Sequence, residues 1–136
     1  MRNLVQRLSL YFAAGTFGGL VNSLALWYCA HIGLIAQIGV SISPSLTPTW
    51  LYPRLVWAGI WGWLFFLPIV QRYFLAKGLL LSLGPSLVQL VIVFPSKTHA
   101  GIFGTGLGEL TPVVVLAANA VWGLSAALWL RLCRSL

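Results

Sequence analysis

Acidic residues are almost absent from this sequence. It has no aspartate and a single carboxylate side chain, Glu109, against eight lysines and arginines. A Ser-His-Asp set is therefore impossible, and enzymatic activity is not expected. Charged residues of either sign make up only 7% of the chain, where a soluble domain carries about 25%. That is too few to cover a water-facing surface, which excludes a cytosolic enzyme, a nucleic-acid-binding module and a disordered chain. The basic residues sit singly or in pairs at the ends of apolar runs, not in the clustered patch that nucleic acid requires, so no nucleic-acid partner is expected. Cysteine is scarce as well. Cys29 and Cys133 fall at opposite membrane surfaces, about 30 Å of hydrocarbon apart, so no disulfide joins them, and two cysteines do not make a metal site. His31 and His99 lie singly at outer span ends and read as interfacial residues. The glycines at positions 101–108 follow no strand and lack the Lys-Ser/Thr ending of a phosphate loop. No cofactor and no metal are expected.

What remains is apolar. Hydrophobic residues make up 60% of 136 positions, with a mean hydropathy of +0.95. The length fits one small domain, and the composition places it in a bilayer: an all-α, polytopic membrane protein. Runs of about 20 apolar residues predict a four-transmembrane-helix bundle with spans at about 8–30, 53–70, 74–94 and 110–130. Pro53 suits a first helical position, Pro112 a first turn, and Pro95 a stop. Pro68 and Pro85 lie inside spans and are expected to bend them, the second helped by Gly84. Arg2 and Arg7 before span one, Arg72 and Lys77 between spans two and three, and Arg131 and Arg134 after span four share one side. Only Arg54 and Lys97 lie on the other. The positive-inside rule then puts both termini in the cytoplasm. Arg2 and Arg7 before an apolar run imitate a signal peptide, but no good cleavage site follows and the run is too long for one.

Leu46-Thr47-Pro48 and Leu110-Thr111-Pro112 open two apolar runs alike. They read either as a duplicated helical hairpin or as two uses of one helix-start signal. The outer loops, 32–52 and 100–108, carry no charge and read either as segments that pack on each other and cap the bundle or as surface loops with incidental apolar residues. Trp50, Tyr52, Trp57 and Phe103 fit an interfacial aromatic belt.

Small residues recur at four-residue spacing on every span: Ala14, Gly18 and Asn22, and Gly15, Gly19 and Ser23, on span one; Ala58 and Gly62; Gly78 and Ser82; Asn119, Gly123 and Ala127. Such stripes let helices approach closely, and Ala14, Gly18, Gly123 and Ala127 are the expected packing positions. Three amides lie within spans. At 1.5 Å per residue, Asn22, Gln89 and Asn119 fall near one depth, slightly outside the midplane, with Gly62 close by. They read first as interhelical glue and second as a polar path for a solute or ion. Glu109, at the start of span four, suits a helix N-terminus. The sharper alternative is an outer-face ion pair with Arg54.

The stretch from Gly78 to Pro95, with Leu110-Thr111-Pro112 and Asn119-Ala120-Val121-Trp122-Gly123, resembles small four-span bacterial inner-membrane proteins of unknown function, the YagU-like ones among them. The likeness covers the C-terminal half, and this chain is shorter. It implies a four-span fold in a bacterial inner membrane, and no activity. A small multidrug exporter would need a glutamate in span one, and a fluoride channel a glycine-rich motif running into Arg-Tyr; neither is present. The first functional expectation is a non-catalytic accessory or structural subunit, acting through helix packing with a second copy or another membrane protein. The alternative is a small oligomeric transporter or channel built around the amides. The lipid bilayer is a partner in either case.

Overall fold

The computed structural model describes residues 3–40, 44, 46–68, 72–92 and 108–133. All regular structure among them is helical. Arg2, Pro95, Lys97, His99, Phe103, Arg134 and most of the second outer loop lie outside the described residues.

Helix α1 runs Leu4–His31. Asn3 opens it with a capping box: its side chain accepts from the Gln6 N–H at 2.8 Å, and the Gln6 side chain accepts from the Asn3 N–H at 3.1 Å. Two amides without helical partners are satisfied together. The helix gives way at Gly33, whose φ of 84° lies in the left-handed region that glycine enters without a Cβ penalty. A single turn, α2 (Leu34–Gln37), follows, with Ile35 and Val40 buried. A Cβ on Gly108 would stand 3.0 Å from Val40 Cα, so the two outer loops meet at that point.

Helix α3, Pro48–Gly62, begins five residues earlier than expected. Thr47 is its N-cap, accepting from the Trp50 N–H at 3.3 Å, and Pro48 takes the first helical position, where its missing N–H costs nothing. Pro53 is thus an interior residue, not the start, and the Thr49 carbonyl loses the N–H that another residue would supply. At 15 residues α3 is short of the ~20 a crossing needs. A 3-10 turn, Trp63–Phe66, extends it. Leu67 is then extended, with ψ 129°, as a residue before proline prefers. Pro68 therefore lies past the helix end and does not bend a span.

Helices α4 (Phe74–Leu81) and α5 (Leu83–Val88) are two segments of one rod, with a π turn over residues 89–92. The interruption is at Ser82, three residues before Pro85. Proline lacks the N–H that would bond the Leu81 carbonyl, and its ring crowds that carbonyl. The Ser86 hydroxyl bridges the break by donating to the Ser82 carbonyl at 2.8 Å. Lys77, expected in a cytoplasmic connection, is inside α4 and 1% exposed. Its ammonium donates to the Phe65 carbonyl at 2.9 Å, placing positive charge at the C-terminal end of the 3-10 turn, where the helix dipole favours it. Helix α6 is Thr111–Leu132, with Pro112 in its first turn. Leu-Thr-Pro thus serves two registers: Thr47 caps α3, whereas Thr111 is already helical and Leu110 stands at the cap.

Three helical stretches, Leu4–His31, Phe74–Ile92 and Thr111–Leu132, are long and apolar enough to cross a membrane. Helix α1 packs against both α3 and α6, and α4 packs against α6. The stripes of small residues make these contacts. Gly15 and Gly62 are in backbone contact, and so are Gly78 and Gly123. Gly18 faces Trp122 of α6, and Gly19 faces Ala58 of α3. Ala14, Gly18, Gly123 and Ala127 are all buried. Around them Tyr11, Phe65, Leu81, Trp122, Ala126 and Leu130 form the core, and the Trp122 indole donates to the Gly15 carbonyl at 3.1 Å. Outward, Leu79, Leu83, Leu87, Val113, Leu116 and Leu128 are exposed, while Asn22, Ser23, Ser82 and Ser86 are buried. This reverses the pattern of a water-soluble bundle and suits a hydrocarbon surround.

Candidate polar cavity

The early start of α3 decides what reaches the amide level. Starting the helix five residues sooner moves each of its residues about 7.5 Å along the axis. Gly62, expected beside the amides, instead meets Tyr11 and Gly15 deeper in the bundle. Arg54, expected at the outer entry of the span, falls in the second turn of α3 and is half-buried.

Arg54 turns toward α1. Its Nε donates to Ser23 Oγ at 3.0 Å and its terminal NH2 to Asn22 Oδ1 at 2.8 Å. The guanidinium lies 4.7 Å from the Trp50 ring centroid, a cation–π distance. Asn22 in turn donates from Nδ2 to the Ala118 carbonyl of α6 at 2.6 Å. One residue on, Asn119 donates from Nδ2 to Ser86 Oγ at 3.1 Å and to Gln89 Oε1 at 3.4 Å. The polar groups thus form two chains that meet at adjacent residues of α6. One joins Ser23, Arg54, Asn22 and Ala118; the other joins Asn119 to Ser86 and Gln89.

Ser23, Arg54 and Asn22 of the first chain and Asn119 and Gln89 of the second line one cavity of about 420 Å³. Asn22 and Asn119 do not bond to each other; Ala118 and Arg54 hold the first, Ser86 and Gln89 the second. Apolar walls come from Pro53, Trp57, Trp61, Pro85, Val88 and Trp122. Helices α3 and α5 scarcely touch, so they stand as side walls with α1 and α6 behind. Trp61 and Leu64 close the gap below by packing near Gly84.

The expected Arg54–Glu109 pair does not form. Both hydrogen bonds of Arg54 go to α1, and Glu109 sits exposed in the turn before α6. The guanidinium has five N–H groups and uses two; the other three have no partner among the described residues. His31 stacks on Trp27, ring centroids 5.3 Å apart. Cys29 and Cys133 are free thiols. Among the described residues no three His, Cys, Asp or Glu side chains gather as a metal site requires.

Sequence reasoning found the three amides but missed Arg54, Ser86 and the tryptophan walls as their companions. Thr47-Pro48 carried the missing signal, because a Thr-Pro helix start puts Arg54 on the seventh helical residue. Compared with protein-family models, curated proteins and solved structures, the chain finds no match.

Proposed function

We propose that this protein is a non-catalytic, four-crossing protein of a bacterial inner membrane that binds and passes a small anionic solute through the cavity between α3 and α5. The observation that carries this reading is the guanidinium of Arg54, hydrogen-bonded to Asn22 in the same cavity that Gln89 and Asn119 line. Three amides without a charge read most simply as glue. A half-buried cation among them, with no carboxylate partner, marks a functional site in a membrane. The packing-subunit reading rests on stripes of small residues, and those stripes are used inside the chain, at Gly15 with Gly62, Gly18 with Trp122 and Gly78 with Gly123.

The fourth crossing is α3 with its 3-10 turn. Together they rise about 22 Å plus about 8 Å, enough for a core of about 30 Å. Both termini are cytoplasmic by the distribution of lysine and arginine, and the bacterial inner membrane follows from the resemblance to small four-span proteins. A C-terminal alkaline-phosphatase fusion is expected to be inactive and a C-terminal fluorescent-protein fusion bright; an active phosphatase refutes the orientation.

Flux through proteoliposomes tests the function. Vesicles holding the protein are expected to pass small anions faster than empty vesicles, by light scattering after an osmotic step. Asn119→Leu is expected to abolish most of the difference, since it leaves Ser86 and Gln89 without their shared partner. Equal rates in loaded and empty vesicles across halides, phosphate and short carboxylates overturn the transport reading.

A further inference from the structure

The cavity has an electrostatic and a geometric asymmetry. Of its lining residues Arg54 alone carries charge, and none is acidic. The chain's single acid, Glu109, lies elsewhere and exposed. A cation held partly out of water without a counter-charge is costly, and one anionic group beside it removes that cost. Three guanidinium N–H groups remain for such a group, and the planar fork matches the two oxygens of a carboxylate or phosphate. Gln89 Nε2 and Asn119 Oδ1 make no hydrogen bond among the described residues, so the opposite wall adds a donor and an acceptor.

The rest of the wall is apolar, and it leads outward. Trp61 and Trp122 lie along the cavity, and Trp57 both lines it and is 62% exposed on the bundle surface. That exposed face belongs to the α3 side of the gap between α3 and α5, which lipid would fill. The volume, about 420 Å³, lies within the roughly 300–1,000 Å³ of small-molecule sites, and a bare inorganic anion would leave most of it empty. A charged end and an aromatic slot open to hydrocarbon together call for a molecule with both characters.

We infer that the cavity takes a singly charged anionic amphiphile, with its oxyanion head on Arg54 and its apolar body along Trp61 and Trp57 into the gap between α3 and α5. This rests on reading the cavity as a ligand site, and it names the ligand's chemistry. The head is a phosphate diester of a membrane lipid or the carboxylate of a free amphiphilic acid. Arg54 holds the head, Asn22 and Ser23 fix the guanidinium, and Gln89 and Asn119 meet the head from the π turn after α5 and from α6.

Binding is measured on the full chain in a non-ionic detergent, by native mass spectrometry for stoichiometry and tryptophan emission for affinity. The probes are short-chain phosphatidylglycerol, decanoate, decyltrimethylammonium and inorganic phosphate. One anionic amphiphile per chain is expected, and Arg54→Gln is expected to weaken it roughly tenfold or more, the scale of a lost charge-assisted bond. Phosphatidylglycerol alone among the anionic amphiphiles identifies a lipid head, and decanoate alone a free acid; either supports the inference. Trp57→Ala, a change on an exposed position, is expected to weaken the amphiphile several-fold with the melting temperature unmoved. It keeps the test informative if Arg54→Gln fails to fold. Equal binding of decyltrimethylammonium overturns the inference, as does inorganic phosphate binding as tightly as the amphiphiles, or indifference to both substitutions. Flux without amphiphile binding removes this inference and leaves transport standing; amphiphile binding without flux does the reverse.

Discussion

Gly18→Ile is expected to destabilise the folded bundle by at least about 3 kcal/mol, at the upper end of the overpacking range. A Cβ at this position would lie 2.5 Å from the Trp122 carbonyl oxygen and 2.9 Å from its Cδ1. The first obstacle is backbone, which cannot rotate away as a side-chain end can. The second belongs to an indole that is 2% exposed and anchored to the Gly15 carbonyl. Moving α6 away from α1 would also stretch the Asn22 bond to Ala118 one turn further on. The readouts are the melting temperature in detergent and the elution profile on size exclusion. A variant that inserts, elutes and melts like the parent would mean that this face points to lipid. Gly33→Ala is the control: nothing lies within 4 Å of a Cβ there, and only the φ of 84° opposes it, a strain of about 1–2 kcal/mol.

Lys77→Met is expected to cost about 1.5–3 kcal/mol, the range for a hydrogen bond to a charged group. Methionine fills the space of the lysine stem but cannot donate to the Phe65 carbonyl. That bond ties α4 to the end of the 3-10 turn, so its loss should loosen the very turn that extends α3. Denaturant titration of the purified variant reads the effect. Arg72→Gln, at an exposed position nearby, is expected to stay within about 0.5 kcal/mol of the parent. If the two variants behave alike, Lys77 is a headgroup-layer charge like Arg72 and not a structural donor.

The contrast between these two basic residues shows where sequence reasoning stops. By sequence position, Arg72 and Lys77 read as one basic cluster between two apolar runs. Only the 3-10 turn after α3 puts a bare carbonyl, that of Phe65, within reach of one of them. Arg54 is the same case near the start of α3. Its place in a list of outer charges was legible; its contact with Asn22 required knowing that α3 starts at Thr47-Pro48 and which way α3 turns toward α1. The amides were legible because polar side chains are rare in an apolar run and must find partners there. That Asn22 and Asn119 are held by different partners, Ala118 and Ser86, was not, because a common depth says nothing of azimuth.

The sequence by itself determined the helical class, three helices long and apolar enough to cross a membrane to within a few residues, and the faces on which helices approach. These follow from local quantities: the scarcity of charge, the length of each apolar run, and glycine or alanine every fourth residue. Tertiary structure alone decided that the stripes are used within one chain, that Lys77 is buried, and that Arg54 joins the amides on the wall of a cavity. Each of those depends on the rotation and axial offset of one helix against another, set by backbone contacts such as Gly15 with Gly62 and Gly78 with Gly123. A five-residue shift in where α3 begins, invisible to hydropathy, changes which side chain meets which.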